Sequence, residues 1–149
     1  MNIMERSNAV DAPAADLAGT VSLWLANFES ALALGDKSAL SGLFFDECHW
    51  RDLVAFTWHI TSHVGAAKIV PALLARQPEI KARNFEIATD RMAPRVVSRL
   101  GMEVVEAFFN FETAVGRGTG VLRLMPDMDV SPSTPRAWVF STTLQELKG

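Results

Sequence analysis

The side chains able to do chemistry crowd into one stretch, Phe44 to Gly65, which reads FFDECHWRDLVAFTWHITSHVG and holds two tryptophans, three acidic residues and all three histidines of the chain. Taken as a strand, its alternation puts Asp46, Cys48, Trp50 and Asp52 on one face and Glu47, His49 and Arg51 on the other. Cys48 and Trp50 mark the first face as inward. Asp52 is then predicted at the inner end of a strand beside aromatic bulk, where desolvation favours proton uptake and suits a carboxylate to act as a general base. Two structural roles compete for it: an ion pair with Arg91 or Arg95, or acceptance of backbone N–H groups from the following loop.

The neighbours of Asp52 carry weaker signals. His59 and His63 stand four apart, the spacing of two zinc ligands on a helix, but no HExxH glutamate accompanies them and no metal site is expected. His63 is expected near a helix start and His59 in the loop before it, with His63 or His59 the candidate assistant to Asp52. Cys48 has no base on its own face and reads as a small core residue. Farther on, Gly116, Gly118 and Gly120 have G-x-G-x-G spacing and precede a strand. That is not a dinucleotide loop, and a hairpin turn needing positive φ is expected there.

The elements that would position these residues follow from periodicity. Leu17, Val21, Trp24, Leu25, Phe28 and Leu32 form one apolar stripe of a helix over residues 16–34, ended by Gly35. A short helix follows, capped by Asp36 or Ser38, with Leu40 and Leu43 inward. Thr61 to Gln77 is predicted helical with a Thr61 or Ser62 cap, although Pro71 within it demands a kink or a late start. Beyond Pro78 come strands: Phe85 to Met92, Arg95 to Leu100, Met102 to Thr113, Val121 to Met125 and Arg136 to Leu147, with a loop, PDMDVSPSTP, before the last. Val105, Ala107, Phe109 and Phe111 should face the core, as should Trp138, Phe140 and Leu144. Helices first and a meander afterwards imply an α+β fold. On the opposite sheet face Phe108, Val121, Arg123 and Val139 mix apolar and polar groups, which suits a homodimer surface.

Composition narrows the function. A chain of 149 residues, 49% apolar, is one domain over residues 15–149 behind a loose tail at 1–14. No apolar run approaches the roughly twenty residues that span a bilayer, so no membrane partner is expected. The start of the chain lacks the apolar core of a secretory signal. A net charge of -3 without a basic block excludes nucleic acid as the expected partner. One cysteine permits no internal disulfide and points to a cytoplasmic setting.

The order of elements resembles the nuclear transport factor 2-like superfamily, also called SnoaL-like, ketosteroid isomerase-like or cystatin-like. Within it, WRD-(two residues)-AFTW at Trp50 to Trp58, FFxFET at Phe108 to Thr113 and LQELKG at Leu144 to Gly149 are similar to the amino-terminal domain of flavin-containing monooxygenase-like proteins. The resemblance implies a cone: helices packed on one strongly curved, mainly antiparallel sheet, with a pocket at the open end. It also places Asp52 at the position of the isomerase base. The chain contains no tyrosine, so the oxyanion tyrosine of that branch has no counterpart. In the flavoproteins LQELKG leads into a domain binding FAD and NADPH; here the sequence stops at Gly149 without a dinucleotide fingerprint, and no cofactor is expected.

Three readings result. The first is a dimeric binding or accessory module for a small hydrophobic molecule, with Trp24, Trp50, Phe56, Trp58, Phe109 and Phe111 lining the pocket and a flavoprotein as a further partner. The second is a cofactor-independent isomerase, dehydratase or hydrolase with Asp52 as base. The third is a structural dimerisation domain with a filled core.

Overall fold

A computed structural model describes residues 2–53, 55–56, 60–125 and 135–147, and their side chains apart from those of residues 2–16 and 146. Trp58, His59 and all but the last residue of the PDMDVSPSTP loop lie outside the described residues. The first helix, α1 (Asn2–Leu34), begins well before Asp16. Its backbone runs through the stretch expected as a loose tail, where Ala9, Ala12, Ala14 and Ala15 are strong helix formers. Val21, Trp24, Leu25, Phe28 and Leu32 are buried along one stripe, as their spacing predicts. Among the described residues this helix has one span, Leu17–Leu34, long and apolar enough by length and composition to cross a membrane, contrary to the sequence expectation. The reason is its outer face, where Leu23 and Leu34 are exposed in place of charges.

Asp36 caps α2 (Lys37–Ser41) by accepting the Ala39 N–H at 3.0 Å. The strand β1 (Phe44–Leu53) buries Cys48, Trp50 and Asp52 and exposes Glu47, His49 and Arg51 as alternation predicts. Asp46, expected inward with them, is exposed, and the β1–β7 register shifts between Phe44 and His49. The next element differs from expectation. Ile60, Thr61 and Val64 are β-branched, and residues 60–64 form β2 (Ile60–Val64), antiparallel to β1, instead of opening a helix. Gly65, at φ 93°, turns the chain into α3 (Ala66–Ile80), with no side-chain cap from Thr61 or Ser62. The helix thus starts late but still takes in Pro71 and Pro78, and His63 sits on a strand.

The remaining strands are β3 (Arg83–Ile87), β4 (Arg95–Arg99), β5 (Met102–Glu112), β6 (Gly116–Met125) and β7 (Arg136–Leu147). They complete a mixed sheet of order β2-β1-β7-β6-β5-β3, with β4 also paired to β5; among the described residues only the β1–β7 pair is parallel. Helices and sheet together give the expected α+β class.

The glycine motif is a correction. Gly116, Gly118 and Gly120 lie within β6, none at positive φ. Cross-strand register sets Phe111 opposite Gly118 and Phe109 opposite Gly120. A Cβ at Gly118 would stand 2.3 Å from the tip of the Phe111 ring, and one at Gly120 2.3 Å from that of Phe109. The glycines therefore leave room for two core rings to lie over the neighbouring strand. The actual turn is at Thr113, whose hydroxyl accepts the N–H groups of Val115 and Gly116.

Those rings belong to a continuous aromatic core between helix and sheet. Trp24 stacks on Phe28 at 5.2 Å, Phe28 meets Phe85 edge-on at 5.1 Å, Phe85 stacks on Phe111 at 5.1 Å, and Phe109 stacks on Phe140 at 5.4 Å. Each such pair adds about 0.5–1.5 kcal/mol beyond its buried area.

Candidate functional site

The inner end of β1 holds the polar residues that interrupt this core. Parallel register with β7 sets Trp50 beside Phe140 and Asp52 beside Thr142. The Trp50 indole N–H donates to Thr142 Oγ1 at 3.0 Å, and the Thr142 hydroxyl donates to Asp52 Oδ1 at 2.6 Å. The Phe56 backbone N–H donates to Asp52 Oδ2 at 2.9 Å. Asp52 and Thr142 are both 0% exposed. Of the structural roles open to Asp52, acceptance of a loop N–H is present. Neither arginine is its partner: Arg95 reaches Glu106, and Arg91 lies over the Phe108 ring at 5.6 Å.

His63 enters from β2, opposite Trp50 in register, and its imidazole stacks on the indole with centroids 5.1 Å apart and planes 22° from parallel. His63 Nδ1 is shielded from solvent and has no hydrogen-bond partner. Phe56 closes the other side of Trp50, edge-on at 5.5 Å, and touches Phe111 at 6.0 Å. Asp52, Trp50, Phe56, His63 and Phe111 are thereby brought into one neighbourhood. Trp24 is not: its indole N–H donates to the Leu43 carbonyl at 3.1 Å within the α1 side of the core. Phe109 lies between Phe111 and Phe140.

The wall residues are packed. Trp50, Phe56 and Phe109 are 0% exposed. A cleft of about 390 Å³ lined by Phe45, Met102, Met125, Arg136 and Trp138, and one of about 410 Å³ beside Asn84, Glu112 and Arg117, have none of Asp52, Trp50 or Phe56 in their walls. Cys48 is buried on the same strand face; burial first, and Asp46 in addition, push its thiol up to about 11. Among the described residues no three His, Cys, Asp or Glu side chains converge as metal ligands would.

Thr142 is the member of this cluster that sequence reasoning missed. The signal was available: it shares the period-two face of Phe140 and Leu144, and a hydroxyl in an inward series needs a buried partner.

No family model matches the chain, and no curated protein matches it in sequence. Solved structures do match the fold. An uncharacterised protein with a cystatin-like fold from Caulobacter vibrioides gives a TM-score of 0.64 at 12% identity over 88% of this chain and 91% of that one. A nuclear transport factor 2-like protein with a cystatin-like fold from Novosphingobium aromaticivorans gives 0.59 at 12% identity, covering 93% of this chain and 88% of that one. The chain therefore has the cystatin-like, nuclear transport factor 2-like fold. Identities this low establish architecture and leave the chemistry to the site.

Proposed function

We propose that the chain is a binding or accessory domain for a small hydrophobic molecule bearing one hydrogen-bond donor or acceptor, held at the Trp50–His63–Asp52 end of the inner sheet face. The observation that carries this reading is His63 Nδ1, a solvent-shielded polar atom without a partner, set against an indole and aromatic rings. Buried polar atoms are nearly always paired, and His63 is half-buried on β2 while Trp50, Phe56 and Asp52 are packed, so the polar group of the ligand sits at the His63 edge of the cluster, where it supplies the missing bond. Asp52 serves this site by position: its oxygens accept from Thr142 and Phe56 and fix the β1 end and the loop beyond it. That arrangement supports binding better than it supports Asp52 as a general base. A homodimer, and a flavoprotein that receives the bound molecule, complete the reading.

Native mass spectrometry of the purified protein, and titration with apolar ketones and alcohols followed by tryptophan fluorescence, test it. Saturable binding that His63→Leu removes, with the melting temperature held, is the expected result. If no compound binds and His63→Leu only raises the melting temperature, the orphan nitrogen is a packing imperfection and the domain is structural.

A further inference from the structure

The outer face of the sheet carries a second buried charge. Glu106, 4% exposed, lies midway along β5 with Arg95 of β4 opposite on one side and Arg123 of β6 opposite on the other. Arg99, four residues along β4 from Arg95, shares its face by the strand period. The three guanidiniums converge on one carboxylate: Arg123 Nε at 2.9 Å, an Arg99 terminal nitrogen at 3.2 Å and an Arg95 terminal nitrogen at 3.4 Å. Their side chains are 28%, 38% and 47% exposed, so the carboxylate forms the floor and the guanidiniums the rim.

Among the described residues, one carboxylate against three guanidiniums leaves the cluster two positive charges in surplus, within a protein of net charge -3. Each guanidinium has five N–H donors. Each gives one to Glu106, and Arg99 gives another to the Ser98 carbonyl. Beside the cluster, Phe108 holds the Arg91 guanidinium over its ring, which extends the positive surface along β5. Like charges gathered on a common anion repel one another, and a second anion on their exposed side relieves that repulsion.

We propose that Arg95, Arg99 and Arg123 form an oxyanion site whose ligand is a phosphomonoester group. A phosphomonoester carries nearly two negative charges at neutral pH and matches the surplus, whereas a carboxylate would leave one positive charge over. Its three oxygens accept paired N–H donors from planar guanidinium forks, which Glu106 holds in place from beneath.

Inorganic phosphate titrated at low ionic strength, read by NMR of the arginine Nε–Hε signals, tests the site. Saturable shifts at Arg95, Arg99 and Arg123 are expected, with binding weakened by salt. Glu106→Gln raises the surplus from two to three charges and should tighten phosphate by about threefold or more, while Arg99→Gln should weaken it by about fivefold or more. A neutral peptide carrying one phosphoserine separates the sources: binding equal to phosphate identifies a small free anion, and tighter binding identifies a phosphoryl group displayed on a partner. Shifts that do not saturate, or that are unchanged in Arg99→Gln, would overturn the proposal even if Glu106→Gln failed to fold.

Discussion

The Thr142 hydroxyl donates to Asp52 Oδ1 at 2.6 Å across the parallel β1–β7 pair, with both residues fully buried. Because Thr142 also accepts from the Trp50 indole, one side chain on β7 ties down two positions of β1. This is the hydrogen-bond link between the polar cluster and the aromatic core. Thr142→Val, which keeps the shape, strands an indole N–H and removes a donor to a buried carboxylate, and should cost about 3 kcal/mol in urea unfolding. Thr142→Ser should recover most of it. A Val variant within about 0.5 kcal/mol of the parent would mean that the three groups do not act as a connected chain.

The two strand glycines should differ in a defined order. At Gly120 an added Cβ meets the Ser141 carbonyl oxygen at 2.2 Å as well as the Phe109 ring, whereas at Gly118 its three nearest neighbours are all atoms of the Phe111 ring. Backbone cannot yield as a ring can, so Gly120→Ala should cost about 3 kcal/mol or more and Gly118→Ala about 1–2 kcal/mol. Thermal unfolding of the two variants checks the order, and a reversed order would show that the sheet, not the ring, gives way.

Much of this was legible from alternation. Cys48, Trp50 and Asp52 are inward because side chains on a strand alternate, and Ala107, Phe109 and Phe111 are inward for the same reason. The failures have physical causes. A threonine and a serine before a helical pattern look like caps, but tertiary pairing with β1 recruited residues 60–64 as a strand. Three glycines look like a turn when their neighbours are unknown; the rings that require them are seven residues or more away in sequence and adjacent only through the β5–β6 register. The Glu106 cluster was invisible for a similar reason, since its arginines come from two strands on either side.

Cys48 should behave as an inert thiol. Burial raises its pKa from the ordinary 9.0 to about 11, so the folded state retains the proton where the unfolded state loses it. Its contribution to stability is complete below pH 9 and is lost as pH rises through about 11. At pH 8 a thiol reagent should label the protein only as fast as it unfolds, and Cys48→Ala should remove the alkaline loss. Rapid stoichiometric labelling of the native protein would place the thiol at an accessible site.

Glu106 should govern the acid limb of the stability curve. Burial alone would raise its carboxyl, but the hydrogen bond and charge of Arg123, the charge of Arg99 and the hydrogen bond from Arg95 together hold it below the usual 4.5. A depressed folded value means that the ionised form is the favoured one in the native state. The stabilisation is then present above the unfolded value and lost as pH falls through the folded one, a window that lies below about pH 4.5. Glu106→Gln cannot titrate, so the gap in stability between parent and variant should be widest near pH 6 and narrow towards pH 3. Arg123→Met keeps the carboxylate but removes its nearest donor, so the folded value rises towards the unfolded one and the acid loss should be smaller than the parent's. Equilibrium urea unfolding across this range measures both, and parallel curves for parent and Glu106→Gln would show that the arginines stabilise the fold without regard to the charge beneath them.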